Sequence, residues 1–270
     1  MSYSQKLRKL FPEISLCWED LLLLEAIQVK YLPDRVPKAE FAILIHEYPL
    51  IHRFLTQKYP PIASFLSGLL KDHSFSEDPQ KVEESCMEAL WEIADLIIYN
   101  KHPEVFDEQA PLRWELGDIN SLVSMDGKTI ADVGAGSGRI AFLVAPLAGS
   151  VYAIEPLQSF RSFMKEKALS QKVSNLFVMD GTLDSIPLPE NSLDTLITSN
   201  AIGWNLQEEL IEIERVVKQG GHAIHLLQSD MEQDNTLHDA LVKAPWNYRC
   251  LEVKDDSKLK LRYHKLIRKA

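Results

Sequence analysis

The chain changes its apolar rhythm near residue 112. Upstream, apolar positions recur at helical spacing. One run, from Trp18 to Val29, carries Leu21, Leu22, Leu24, Ala26 and Ile27. A second, Lys38 to Tyr48, carries Phe41, Ile43, Leu44 and Ile45, and a third, Ile62 to Leu70, carries Phe65, Leu66, Leu69 and Leu70. The longest, Lys81 to Tyr99, carries Met87, Leu90, Trp91, Ile93, Ala94, Leu96 and Ile97. Prolines punctuate these runs, among them Pro33, Pro37, Pro49, Pro60, Pro61, Pro79 and Pro103, so short helices in a bundle or cap are predicted. The acidic run from Ser76 to Glu84 reads as a loop and a helix start. No fixed period marks a repeat array.

Downstream the apolar runs shorten to strand length and alternate with helical segments. Strands are predicted at Thr129–Val133, Val151–Glu155, Asn175–Asp180, Ser192–Asn200 and His222–Leu227. A helix over Leu206–Lys218 precedes Gln219-Gly220-Gly221, which reads as its C-cap. Tyr248–Val253 and Lys258–Leu266 flank Asp255-Asp256-Ser257, the composition of a hairpin turn. Alternating strands and helices predict a doubly wound α/β sheet, seven-stranded and mostly parallel, with an antiparallel hairpin at its end. The expected division is a helical region over 1–111 and an α/β core over 112–270.

Between the first two strands lies Gly134-Ala135-Gly136-Ser137-Gly138-Arg139. A strand, a glycine turn, a helix and a second strand ending in an acid make the first half of a nucleotide-binding βαβ unit. Glycine permits close approach of a ligand to backbone, and the helix N-terminus offers unpaired N–H groups. Glu155 falls near the ~20-residue spacing at which an acid meets ribose hydroxyls. Dinucleotide folds need a third glycine in G-x-G-x-x-G, where this chain has Arg139, so a pyrophosphate is the poorer match.

The segment Asp132-Val-Gly134-Ala-Gly136-Ser-Gly138 resembles motif I of the class I S-adenosylmethionine (SAM) dependent methyltransferases. Asp180-Gly181 after the third strand, Leu193-Asp194-Thr-Leu, and Glu212-Ile-Glu-Arg215-Val-Val-Lys218-Gln-Gly220-Gly221 extend the likeness to the methyltransferase type 11 family over about residues 112–267. Leu193, Val217 and Gln219 depart from that family's pattern. The resemblance implies SAM as cofactor and S-adenosylhomocysteine as product. It implies that Asp132, Gly134, Ala135 and Gly136 hold the methionyl moiety and that Glu155 accepts from the ribose. Pro156 and Leu157 would line the adenine, Asp180 and Gly181 would meet its edge, and Asn200 and Ala201 would sit under the sulfonium. Asp132 also reads as a structural aspartate bonding the glycine loop, which is compatible with that role, and Asp180 also reads as a turn residue, with the strand context favouring the adenine role.

Composition narrows the substrate. A net charge of −10 opposes attraction to phosphate backbones, and no Asn/Asp-Pro-Pro-aromatic motif of amino-methylating nucleic-acid enzymes occurs. A small-molecule acceptor is expected, with a protein side chain next. Cys17, Cys86 and Cys250 are scattered and show no zinc spacing, so no metal is expected. The first residues lack the apolar stretch of a signal peptide and no run could span a bilayer, so a cytoplasmic protein is expected. His222 and His225 fall in a buried strand and His102 in a linker; no catalytic base is assigned. Residues 100–115, with Tyr99 before them, are read as a lid or pocket wall, and Tyr99, His102, Phe106 and Trp114 otherwise as packing residues. Two other readings stand beside methyl transfer: a catalytically silent SAM-binding regulatory protein, and an NAD-dependent oxidoreductase.

Overall fold

A computed structural model of the chain describes residues 2–75, 77–109, 114–229, 235–255 and 258–269. The chain folds as two compact units, Met1–Gln109 and Ala110–Ala270. The first is all-helical: α1 (Tyr3–Leu10), α2 (Ala26–Arg35), α3 (Lys38–Glu47), α4 (Pro49–Lys58), α5 (Ala63–Asp72), α6 (Pro79–Glu92), α7 (Ala94–Lys101) and α8 (Pro103–Gln109), with 3₁₀ turns at Trp18–Leu23 and Pro60–Ile62. Several starts follow from the sequence. Ser2 and Gln5 form a capping box on α1, Pro49 and Pro79 occupy first turns, and the Asp78 side chain accepts from the Gln80 N–H.

Two helices predicted as continuous are broken. The run Trp18–Val29 becomes a 3₁₀ turn and then α2, because Leu24 is extended and Glu25 starts a new helix. The run Lys81–Tyr99 divides at Ile93, whose backbone leaves the helical region. The divisions let both halves bury apolar faces in one core containing Leu21, Leu24, Val29, Leu90, Ile93 and Ile97. Inside this unit Arg35 pairs with Asp95 at 2.8 Å, and the Tyr3 hydroxyl donates to the same carboxylate at 3.0 Å. Tyr99 and Phe106 meet edge to face within it.

The second unit carries α9 (Leu116–Asn120), β1 (Thr129–Val133), α10 (Arg139–Val144), β2 (Ser150–Ile154), α11 (Gln158–Ser170), β3 (Leu176–Met179), β4 (Leu193–Ser199), α12 (Leu206–Val216), β5 (Val217–Ser229), α13 (Asn235–Val242), β6 (Arg249–Asp255) and β7 (Lys258–Leu266). The sheet order is β3-β2-β1-β4-β5-β7-β6. The first five strands pair in parallel, and β7 pairs antiparallel with β5 and β6. This is the seven-stranded Rossmann-like sheet that the sequence predicts. Strands buried on both faces read as near-continuous apolar runs, which is why β1, β2 and β4 stand out in the sequence. One apolar layer holds Ala131, Val133, Leu196, Ala223 and Tyr263 under α12 and α13; the other holds Ile130, Ile197, Ile224, Ile140 and Met164 under α10 and α11.

The expected C-cap at Gln219-Gly220-Gly221 takes another form. α12 ends at Val217 in extended backbone, and β5 begins there. Gly220, at φ 77°, turns the chain inside β5, where the pairing with β4 shifts register. A Cβ on Gly221 would stand 2.9 Å from the Asp194 carbonyl oxygen, so that glycine is set by close strand approach. The turn at Asp256-Ser257 and the stretch 110–113 of the expected lid lie outside the described residues.

Candidate functional site

Parallel pairing brings the carboxyl ends of β1, β2, β3 and β4 to one edge of the sheet. The register sets Val133 beside Ile154 and Ile154 beside Met179. The loops that follow, 134–138, 155–157, 180–182 and 200–205, are therefore neighbours, and every cofactor residue expected beyond the strands lies in one of them.

The first loop is fixed by its glycines. Gly134, Gly136 and Gly138 have φ of 70°, 55° and 83°, the left-handed backbone that disfavours side chains. Two of them also answer to packing. A Cβ on Gly134 would lie 2.3 Å from the Ala201 Cβ, and one on Gly138 would lie 2.8 Å from the Met164 sulfur. The glycine pattern thus seats β1 against the β4 loop and α10 against α11, a requirement internal to the fold.

Asp132, on β1, is fully buried. Its Oδ2 accepts the Ala141 N–H of α10 at 2.9 Å, while its Oδ1 and the Ser137 hydroxyl have no hydrogen-bond partner among the described residues. Burial pushes the Asp132 carboxyl up to about 7; the nearby Glu155 charge adds to this, and the Ala141 N–H and Arg139 oppose it. Glu155, almost fully buried at the end of β2, accepts the Gly136 N–H at 2.8 Å on one oxygen and the Leu157 N–H at 3.0 Å on the other. It locks the glycine loop to the β2 loop. A carboxylate offers about four acceptor sites, so these two bonds do not exhaust it.

Arg161, on the first turns of α11, was not singled out from the sequence. Its Nη1 donates to the Glu155 carbonyl at 2.8 Å, to the Pro156 carbonyl, and to Asp180 Oδ1 at 3.1 Å. It ties the β2 loop to the β3 loop. Asp180 is otherwise open to solvent, and Gly181 packs so closely on Ile154 and Pro187 that a Cβ would clash.

Glu209, a second missed residue, reaches from α12 to the β4 loop. Its carboxylate accepts the N–H groups of Gly203, Trp204 and Asn205 at 2.7, 3.1 and 3.0 Å. Burial raises its carboxyl above the usual range against the pull of those three bonds. Asn200 adopts φ 53°, and its Oδ1 accepts the Gln228 N–H at 3.0 Å, tying the loop to β5. Neither Arg161 nor Glu209 could be found by spacing, because each acts across a tertiary contact.

His222 and His225 lie on β5, in the buried strand expected of poor bases. His225 is fully buried, its Nδ1 lies 2.9 Å from the Thr198 hydroxyl, and burial pushes it down to about 3. His222 and His264 meet at 2.8 Å, and burial holds both below the ordinary histidine range. His102 faces Glu104 at 3.3 Å in the helical unit. Among the described residues no cluster of His, Cys, Asp and Glu could hold a metal ion, and no helix is long and apolar enough to cross a membrane.

Comparison with known proteins agrees with the fold. Residues 131–225 match the family described as a methyltransferase domain. Over that stretch the chain is similar to the class I SAM-dependent methyltransferases. An uncharacterized methyltransferase of Mycobacterium tuberculosis is 29% identical over 104 residues, covering 38% of this chain and 41% of the relative. An uncharacterized methyltransferase of Bacillus velezensis is 27% identical over 145 residues, covering 52% of this chain and 65% of the relative. The chain thus spans less than two thirds of the length of these relatives. Among solved structures, the complex between the Haloferax volcanii Trm112 methyltransferase activator and the putative methyltransferase contains a chain with the same fold. That likeness has a TM-score of 0.50 at 12% identity, and covers 64% of this chain and 96% of the other.

Proposed function

We propose that this chain binds SAM at the edge formed by the β1–β4 loops and moves its methyl group to an O, N, C or S atom of a small-molecule acceptor. The observation that carries the reading is the buried Asp132 oxygen without a partner beneath a left-handed glycine loop that Glu155 pins in place. An orphan buried acceptor calls for a donor, and an ammonium of a methionyl tail supplies one; the residues present fit the group. Asp132, Gly134, Ala135 and Gly136 would hold that tail. Glu155 would accept from the ribose hydroxyls as well as from the loop. Pro156 and Leu157 would line the adenine, and Asp180 and the Gly181 N–H would meet its edge. Asn200 and Ala201 would underlie the sulfonium.

When bound, SAM supplies an activated methyl group that needs no further leaving-group chemistry. The protein's part is alignment and exclusion of water, which supply roughly 7–11 kcal/mol in favourable cases. Glu209 holds the backbone of 203–205 in place beside Asn200, and Arg161 holds the adenine-side loops in register. No side chain of the site is assigned as a base. The acidity of the chain supports a small molecule over nucleic acid as acceptor, with a protein side chain as the other candidate. A screen of acceptor classes with methyl-labelled SAM tests the reading: label should move to a small molecule in an enzyme-dependent way. Transfer to RNA or DNA with none to small molecules or protein would overturn the acceptor class.

A further inference from the structure

Three buried side-chain nitrogens that can only donate have no acceptor among the described residues: Trp114 Nε1, Gln228 Nε2 and Arg262 Nε. They share one neighbourhood. Gln228 on β5 pairs with Lys260 on β7, and Leu226 pairs with Arg262, so Gln228, Lys260 and Arg262 project on one face at adjacent positions. Lys260 Nζ lies 5.3 Å from the centre of the Trp114 ring, and Trp114 is itself 8% exposed. Asp118 stands 3.8 Å from Lys260 Nζ and 3.9 Å from the Arg262 guanidinium, beyond hydrogen-bond range. Arg262 Nη1 is used by the Asp118 carbonyl and the Ser121 hydroxyl. Two cations flank the Asp118 carboxylate, and beside them three buried donors lack an acceptor among the described residues. An anion among them answers the missing bonds.

The position of the cluster says whose anion. The sheet order places β5 and β7 on the far side of β4 from the glycine loop. Gln228 also gives its backbone N–H to Asn200, the residue at the end of β4. We infer that Trp114, Gln228, Lys260 and Arg262 form a binding site for a carboxylate carried by the methyl acceptor. The inference rests on the proposed function for the identity of the carrier, while the anion site itself stands on the donors alone. A planar carboxylate offers two oxygens to the indole and amide N–H groups, and Lys260 supplies the charge.

The test uses the full chain with its five tryptophans labelled with ¹⁵N in the indole ring, the Trp114 signal being assigned by Trp114→Phe. Sodium formate is titrated at constant ionic strength against sodium chloride. The Trp114 indole signal should move saturably with formate and stay still in chloride. Gln228→Leu and Lys260→Met should each weaken that response about tenfold, the loss of one charge-assisted or buried hydrogen bond; if the lysine variant does not fold, the glutamine variant decides. A Trp114 signal indifferent to formate, or moved equally by chloride, would overturn the site. S-adenosylhomocysteine and its decarboxylated analogue are then titrated on the same sample. A Trp114 shift caused by the former and not the latter would assign the carboxylate to the cofactor and overturn the acceptor assignment. Calorimetry on that sample separates the two claims: no binding of S-adenosylhomocysteine refutes the proposed function and leaves the formate result to judge the anion site.

Discussion

Asp132 and His225 are buried titratable groups whose linkage to folding has opposite sign. The Asp132 carboxyl is raised from 3.8 to about 7, so the native state holds its proton where the unfolded state has released it. Its stabilising contribution is complete below 3.8 and is lost as pH rises through 7. His225 is lowered from 6.5 to about 3, so the neutral ring favours folding above 6.5 and that advantage is lost as pH falls toward 3. Each group alone gives a slope of about 1.4 kcal/mol per pH unit between its two pKa values. The slopes oppose one another between pH ~4 and 6.5, the overlap of the two windows. Asp132→Asn removes one of them. Denaturant melts should then show stability falling more steeply on acidification through this range than in the wild type. Equal slopes for the two proteins would show that Asp132 titrates as an ordinary carboxylate.

Arg161 yields a different kind of residue-scale expectation. Its single Nη1 serves three acceptors on two loops, so a point-like donor at the same place suffices. Arg161→Gln should lower affinity for S-adenosylhomocysteine by ~5-fold, about 1 kcal/mol, and Arg161→Lys should recover most of it. Calorimetry decides; equal affinity in the glutamine variant would mean that the two loops hold their places without it. The motif residues Asp132, Gly134, Gly136, Glu155 and Asp180 were legible because their spacing is local. Arg161 and Glu209 were not, because their partners lie on other elements and nothing in a helix face announces which loop it will touch.

Among the elements, the parallel strands were the most legible part. Buried on both faces, β1, β2, β4 and β5 place apolar residues at consecutive positions, as in Ile130-Ala131, Leu196-Ile197 and Ala223-Ile224. The helical unit was less so. Its apolar faces fixed that helices exist, yet Ile93 and Leu24 break them for reasons of packing, and α1, α8 and α9 are too short to show a clear period. The glycines carried a mixed message. Gly220-Gly221 signalled a chain reversal and served a register shift in β5. Gly134 signalled a ligand and also serves the contact with Ala201, at 2.3 Å from any added Cβ. Gly134→Ala should therefore destabilise by about 2–4 kcal/mol, from left-handed backbone strain and overpacking together. Adding Ala201→Gly should restore about 1–2 kcal/mol, the packing share, with the backbone share remaining. Chemical denaturation of the single and double variants measures this. No recovery in the double variant would place the whole cost in the backbone.

At the scale of the molecule, the residues proposed to hold the cofactor all belong to the unit Ala110–Ala270, and that unit has its own two-sided apolar core. Residues 110–270 produced alone should fold cooperatively and bind S-adenosylhomocysteine within about threefold of the full chain, since no proposed cofactor contact is removed. A cooperative melt with affinity lost by a hundredfold or more would show that the helical unit contributes to the cofactor site.

Glu155 bears most directly on the account, because it is the residue proposed both to pin the glycine loop and to meet the ribose. Titration calorimetry with S-adenosylhomocysteine and NAD on the wild type and on Glu155→Ala is the decisive measurement. The account predicts one site for S-adenosylhomocysteine, none for NAD, and a loss of about 1.5–3 kcal/mol in the variant, the range for hydrogen bonds to a charged group. Saturable binding of NAD in place of S-adenosylhomocysteine, or an affinity unchanged by Glu155→Ala, would contradict it.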